Sequence, residues 1–287
     1  MREFITITLN GLTLGGLYFV AAAGFSLIFG LMRVVNLAHG SLYLLGAYVG
    51  WSIGDATGSW YLALITAPLG VAVVGVILQQ AFLRRIQGQD LREALVTIGV
   101  SIIIADLLLA HYGGQNYEYT VPDALNGPVN LAILGVTYPA YRLFILAVAL
   151  VVGVGLWLLL KHTRLGMIIR AGIDDRDMVS AIGINVQLVF ALVFGLGALL
   201  AGLAGVIGGS DLSVRPGDDG IYLLYSLIVV IIGGMGSVGG AAIGALLVGL
   251  VSQYGLAYVP VYSVLITFAM MIVVLSVRPQ GILGRRT

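Results

Sequence analysis

The feature that most limits this chain is a succession of apolar runs of about 20 residues, parted by short charged or Gly/Pro-rich breaks. A helix needs about that length to cross the hydrocarbon core, where only helices and closed barrels satisfy their own backbone. Of 287 residues, 60% are hydrophobic and 9% charged, against roughly a quarter charged in a soluble domain. The chain therefore reads as an all-α integral membrane protein. Its 41 glycines and lack of long alternating strands favour closely packed helices over a lipid-facing barrel.

Length and breaks predict a first span over Phe4–Met32, ended by Arg33. A second follows within 34–51, its opening interrupted by Asn36, His39, Gly40 and Ser41. Breaks of that kind face protein or water, often beside a pathway. Further spans are expected at Trp60–Leu83, Ala94–Tyr112, Tyr141–Leu160, Val186–Gly209 and Tyr258–Val277. Pro122, Pro128 and Pro139 mark 113–140 as an external loop or small lid. The apolar stretch Ile221–Leu256 is divided by GGMGSVGG, where Gly233, Gly234, Gly236, Gly239 and Gly240 allow a sharp turn or close helix contact. About eight transmembrane helices result, some broken or re-entrant, in one membrane domain covering 1–287.

Charge is concentrated in Lys161–Asn185, which holds Lys161, Arg164, Arg170 and Arg176 against Asp174, Asp175 and Asp177. Its second half has the signature of a short amphipathic helix. Asp174 is suited to cap the free amides, Gly183 to a left-handed stop, and Met178, Val179 and Ile182 to one apolar face. The segment is either a docking element for another protein or a solvated loop. With this loop in the cytoplasm, alternation also places Arg33, Arg84, Arg85, Arg92, Arg278, Arg285 and Arg286 there, as the positive-inside bias requires. The N-terminus then lies outside and the C-terminus inside, so Ile221–Leu256 must return to the side it left. Trp51, Trp60 and Tyr61 suit the membrane interface.

No catalytic constellation stands out. His39, His111 and His162 lie on different segments without helical metal-site spacing, and with no cysteine there is no thiolate site. The glycine cluster lacks the Lys-Ser/Thr of a phosphate-binding loop, and a net charge of +1 implies no nucleic acid. Asp106, inside the fourth span, is costly in lipid and thus a functional candidate, or a hydrogen-bonding group to a neighbouring helix. Asn36 and His39 could bind a polar solute or cap a half-helix. Broken helices and Asp106 would also suit an ion-gradient-driven secondary transporter, which would need no charged docking loop.

The stretches GLTLGGLYFVAAAGFSLIFGLMRVVNLAHGSLYLLGAYVG (11–50), TRLGMIIRAGIDDRDMVSAIGIN (163–185), GGMGSVGGAAIGA (233–245) and VRPQGILG (277–284) resemble the branched-chain amino acid ABC transporter permeases of the LivH type. The resemblance runs nearly end to end. It implies a multi-pass bacterial inner-membrane subunit that pairs with a LivM-like permease, docks two cytoplasmic ATPases and receives solute from a periplasmic binding protein. ATP and Mg would be held by the ATPases, with no cofactor or metal on this chain. Residues 161–185 would be the ATPase-docking loop, with Gly166, Arg170, Ala171, Asp175 and Gly183 at matching positions. The Asp174-Asp175 pair departs from the pattern, where a differently polar residue is expected first. The family also carries urea, short amides and small carboxylates.

Overall fold

The computed structural model describes residues 1–284 except Ile133, Asp175 and Ile182, and of 173, 174, 176 and 177 the backbone alone. Among the described residues the chain forms eleven α-helices. They are α1 (Arg2–Met32), α2 (His39–Thr57), α3 (Trp60–Ala81), α4 (Asp90–Tyr112), α5 (Ala140–His162), α6 (Arg164–Asp174), α7 (Arg176–Ala181), α8 (Val186–Leu212), α9 (Asp218–Gly233), α10 (Val238–Tyr258) and α11 (Ser263–Val277). The breaks read from sequence carry the caps: the side chains of Ser59, Asn185 and Ser237 accept amides at the starts of α3, α8 and α10. Arg33 turns left-handed (φ 56°) and closes α1 with its amide on Phe29 O.

Helices α1 and α8 are the buried centre of the bundle. They cross where Gly24 meets Gly197. A Cβ on Gly24 would lie 2.5 Å from Gly197 O, so this approach requires glycine. Around this pair, α2 and α3 pack on α8, whereas α5, α9 and α10 pack on α1.

Seven helices, α1, α3, α4, α5, α8, α10 and α11, are long and apolar enough to cross a membrane once the short 3₁₀ turns beside α3 and α11 are included. Against the expected eight, seven helices thus meet that length and apolarity, and α2 and α9 are further helices that start within the bundle. The start of α2 lies deep. His39 Nε2 is 2.9 Å from Ala21 O, eleven residues before the end of α1, so residues 33–38 run back about 16 Å into the bundle. Helix α9 also begins at depth, because Tyr225 stacks on Tyr18 near the middle of α1 (centroids 4.7 Å apart). Its start lies against that of α2, since a Cβ on Gly40 would strike Asp219 O. The α9–α10 turn packs on Gly30, two residues from the end of α1, so this hairpin reaches the side of the charged loop.

The proline-rich segment holds a small antiparallel hairpin, β1 (Pro128–Leu131) with β2 (Val136–Pro139), in register Val129 with Tyr138. A bridge between Tyr117 and Val214 ties it to the link before α9. Strands were not expected there, because short β segments in a Pro/Gly-rich loop give no alternating pattern long enough to read.

Candidate functional site

The charged loop folds into two helices, one more than its capping pattern predicts. Thr163 closes α5 by donating to Leu159 O (2.6 Å) and starts α6 by accepting the Gly166 amide (3.1 Å). A Cβ at Gly166 would strike the carbonyls of Leu159 and Leu160, so this glycine lets α6 turn sharply away from α5. Helix α6 turns Ile169 and Gly172 inward, against the ends of α1 and α8, and leaves Arg164, Met167, Arg170 and Ala171 exposed.

Asp174 belongs to the last turn of α6, and α7 begins at Arg176, so Asp174 is not the cap expected from sequence. Gly183 is left-handed (φ 85°), as a helix stop needs. Met178 is 63% exposed, but Val179 is 3% exposed. The apolar face drawn from sequence therefore divides. Adjacent helical positions point about 100° apart, and the chain itself uses the inner one. Asp175 and Ile182 lie outside the described residues, as do the side chains of Asp174 and Arg176. Met167, 55% exposed one helix earlier, was missed. Its signal was the period of Leu165, Ile168, Ile169 and Gly172, which leaves Met167 as the apolar residue on the wrong face.

The glycine turn and the C-terminal motif meet beside this loop. Ile282 N donates to Ile232 O and Leu283 N to Gly233 O, both at 2.9 Å, so the tail satisfies carbonyls left open at the end of α9. Gly234 (φ 106°) and Gly236 (φ 80°) need left-handed backbone, and Gly234 also lies against Gly284. Gly233 and Gly240 face each other across the turn at backbone contact. Gly239 differs from the expectation: it is exposed, and a Cβ there would meet only Leu283, at 3.8 Å.

The three residues read as a solute pathway are not brought together. Asn36 and His39 are each 1% exposed; Asn36 Oδ1 accepts the Ala38 amide at the start of α2, and His39 packs edge-on to Phe25. Leu37 N bonds Thr97 Oγ1, which fixes the level of this segment on α4. Asp106 lies nine residues further along α4, about 13 Å away in depth, on the face opposite the buried Glu93, Thr97 and Leu108. It is exposed, six residues inside the end of an apolar helix.

A polar brace on the opposite side from the charged loop was also not anticipated. Arg142 donates to Asn10 Oδ1 (2.8 Å) and pairs with Asp211 (3.4 Å), while Tyr138 donates to Asn10 (3.0 Å). Burial raises the Tyr138 phenol above its usual range, so it remains a protonated donor. The brace joins α1, β2, α5 and α8. Nothing in sequence pairs residues so far apart.

Over residues 7–275 the chain matches the family described as branched-chain amino acid transport system / permease component. It is 30% identical over 298 residues to the high-affinity branched-chain amino acid transport system permease protein BraD of Pseudomonas aeruginosa, spanning 99% of this chain and 96% of that protein. It is likewise 30% identical to LivH of Escherichia coli, over 98% of this chain and 96% of that one. The ribose import permease RbsC of Escherichia coli is 28% identical over 82% of this chain and 73% of its own length. No solved structure matches the chain significantly.

Proposed function

The chain belongs to the branched-chain amino acid transport permease family and is a multi-pass permease of an ABC importer, and from that premise we propose how it is coupled and what it carries. The cargo is a branched-chain amino acid or a similar small polar solute, delivered by a binding protein and passed between this subunit and a second permease. ATP closes a pair of partner ATPases. Helices α6 and α7 receive that movement, and the two permeases rock about the central pathway. The N-terminus faces outward and the C-terminus the cytoplasm, which gathers Arg33, Arg84, Arg85 and Arg92 on the inner side. Membership of an ATP-driven family leaves no need for the ion-gradient carrier.

The observation that carries this reading is the build of α6 and α7. One side is braced against the ends of the two central helices, and the other presents Met167, Ala171 and Met178 to the solvent. A push on that side bears on α1 and α8, which α6 contacts directly. Each methionine contributes about 1.5–3 kcal/mol if fully buried on docking. Rim charges such as Arg164 add only about 0–1 kcal/mol each. With 55% and 63% of these side chains left to bury, Met167→Ala with Met178→Ala is expected to weaken ATPase retention roughly tenfold to a hundredfold, while the two permeases still copurify. Wild-type retention of the ATPases, together with solute-stimulated hydrolysis in reconstituted membranes, would show that the loop does not dock them.

Asp106 supports a second element of the same reading. A carboxylate facing lipid costs up to about 2.5–3.5 kcal/mol at the centre of a span, and less toward the ends, where Asp106 lies six residues in. The outward face of α4 is therefore the one covered by the paired permease, with Asp106 beside the solute path.

A further inference from the structure

Helices α5 and α10 both pack on α1 without closing over it, and between them lies a groove of about 670 Å³. Gly16 and Phe19 form its floor, and its walls are almost wholly apolar, among them Val154 and Leu246. On α5 the lining runs from Leu146 to Lys161, which is about 22 Å of helix. That equals half a hydrocarbon core, about 15 Å, plus the headgroup layer of one leaflet. Since α5 spans Ala140–His162, with its midpoint at Val151, the groove runs from about 7 Å beyond the middle of the helix to its end on the charged-loop side.

Its chemistry changes only at that surface. Lys161 Nζ sits 5.1 Å above the exposed Trp157 ring, and Arg170 reaches the same end from α6. Neither cation has a carboxylate within salt-bridge distance among the described residues. Two cations at one end, an indole at the interface and an apolar channel about one leaflet deep all fit a single occupant. We propose that this groove binds an anionic phospholipid of the leaflet on the charged-loop side, one acyl chain lying along α1 and its phosphate held by Lys161 and Arg170. A partner helix would have to bring its own acidic residues to the same depth. The lipid's phosphate is already there. Because Arg170 belongs to α6, a lipid held here would anchor the coupling helix to the membrane surface.

The proposal does not depend on the identity of the cargo. It is tested on the assembled transporter in nanodiscs, with Trp51→Phe and Trp60→Phe leaving Trp157 as this chain's sole tryptophan and the signal of a matched sample also carrying Trp157→Phe subtracted. Fluorescence quenching is titrated with phosphatidylglycerol brominated on its acyl chain, and with the matching brominated phosphatidylcholine. Half-maximal quenching is expected at a mole fraction at least threefold lower for phosphatidylglycerol. Lys161→Gln should erase that preference, and Val154→Phe, which fills the groove, should reduce quenching by both lipids. Equal quenching by the two lipids in the parent protein overturns the proposal, as does an undiminished preference in Lys161→Gln. Cross-linking of Val154→Cys to another polypeptide in high yield would also overturn it, since the groove would then be a protein interface.

Discussion

Gly24 and Gly197 allow the two central helices to cross at backbone contact, and the cost of changing them follows from what surrounds them. A Cβ on Gly197 would come within 2.5 Å of Ile28 and 2.9 Å of Gly24 O, in a region with no slack. Overpacking of this kind costs about 1–3 kcal/mol or more. Gly197→Val is expected to lower the thermal midpoint and yield of the detergent-solubilised protein. Gly70, in α3, has no atom within 4 Å of where its Cβ would stand. There Gly70→Ala should hold or raise the midpoint, since alanine is favoured in helices by up to about 1 kcal/mol. Equal losses for both variants would remove the close-approach explanation. Asp106 calls for a different test at the same scale. On the reading above, Asp106→Asn should impair uptake while both permeases still assemble, and unchanged uptake would exclude an ionic role.

Among the elements, the α9–α10 hairpin depends most on parts distant in sequence. Its turn is held from one side by Gly30 of α1 and from the other by residues 281–284, whose amides close the end of α9. Gly234→Val meets both a left-handed backbone and the neighbouring Gly284. It should abolish folding or leave little mature protein. Gly239→Val would meet only Leu283, at ordinary contact distance, and should be tolerated, since valine is no worse than glycine in a helix. Comparable expression of the two variants would contradict this account. The charged loop shows the same dependence. The amphipathic pattern of 176–182 was legible, but which apolar residue faces outward is decided by the ends of α1 and α8 beneath it.

For the whole molecule, the arrangement makes one prediction about sidedness. The hairpin turn reaches the level of the α1 end, so Ser237→Cys should react with an impermeant thiol reagent only from the side that labels a cysteine at His162. Labelling from the opposite face would invert the α9–α10 hairpin. The sequence by itself determined that this is a helical membrane protein, where most spans begin and end, and where the loop likened to an ATPase-docking segment lies. Those properties are local: apolar run length, capping residues such as Ser59, Asn185 and Ser237, and clustered charge are each complete within one segment. Only the tertiary structure decided that residues 33–38 run back into the bundle to start α2 beside Ala21. It also decided that Val179 is buried, that Gly239 is free of the turn its position assigns it to, and that Arg142 braces Asn10 and Asp211 across three elements. These are contacts between residues far apart in the chain, and a single sequence records that such groups need partners without recording which ones they find.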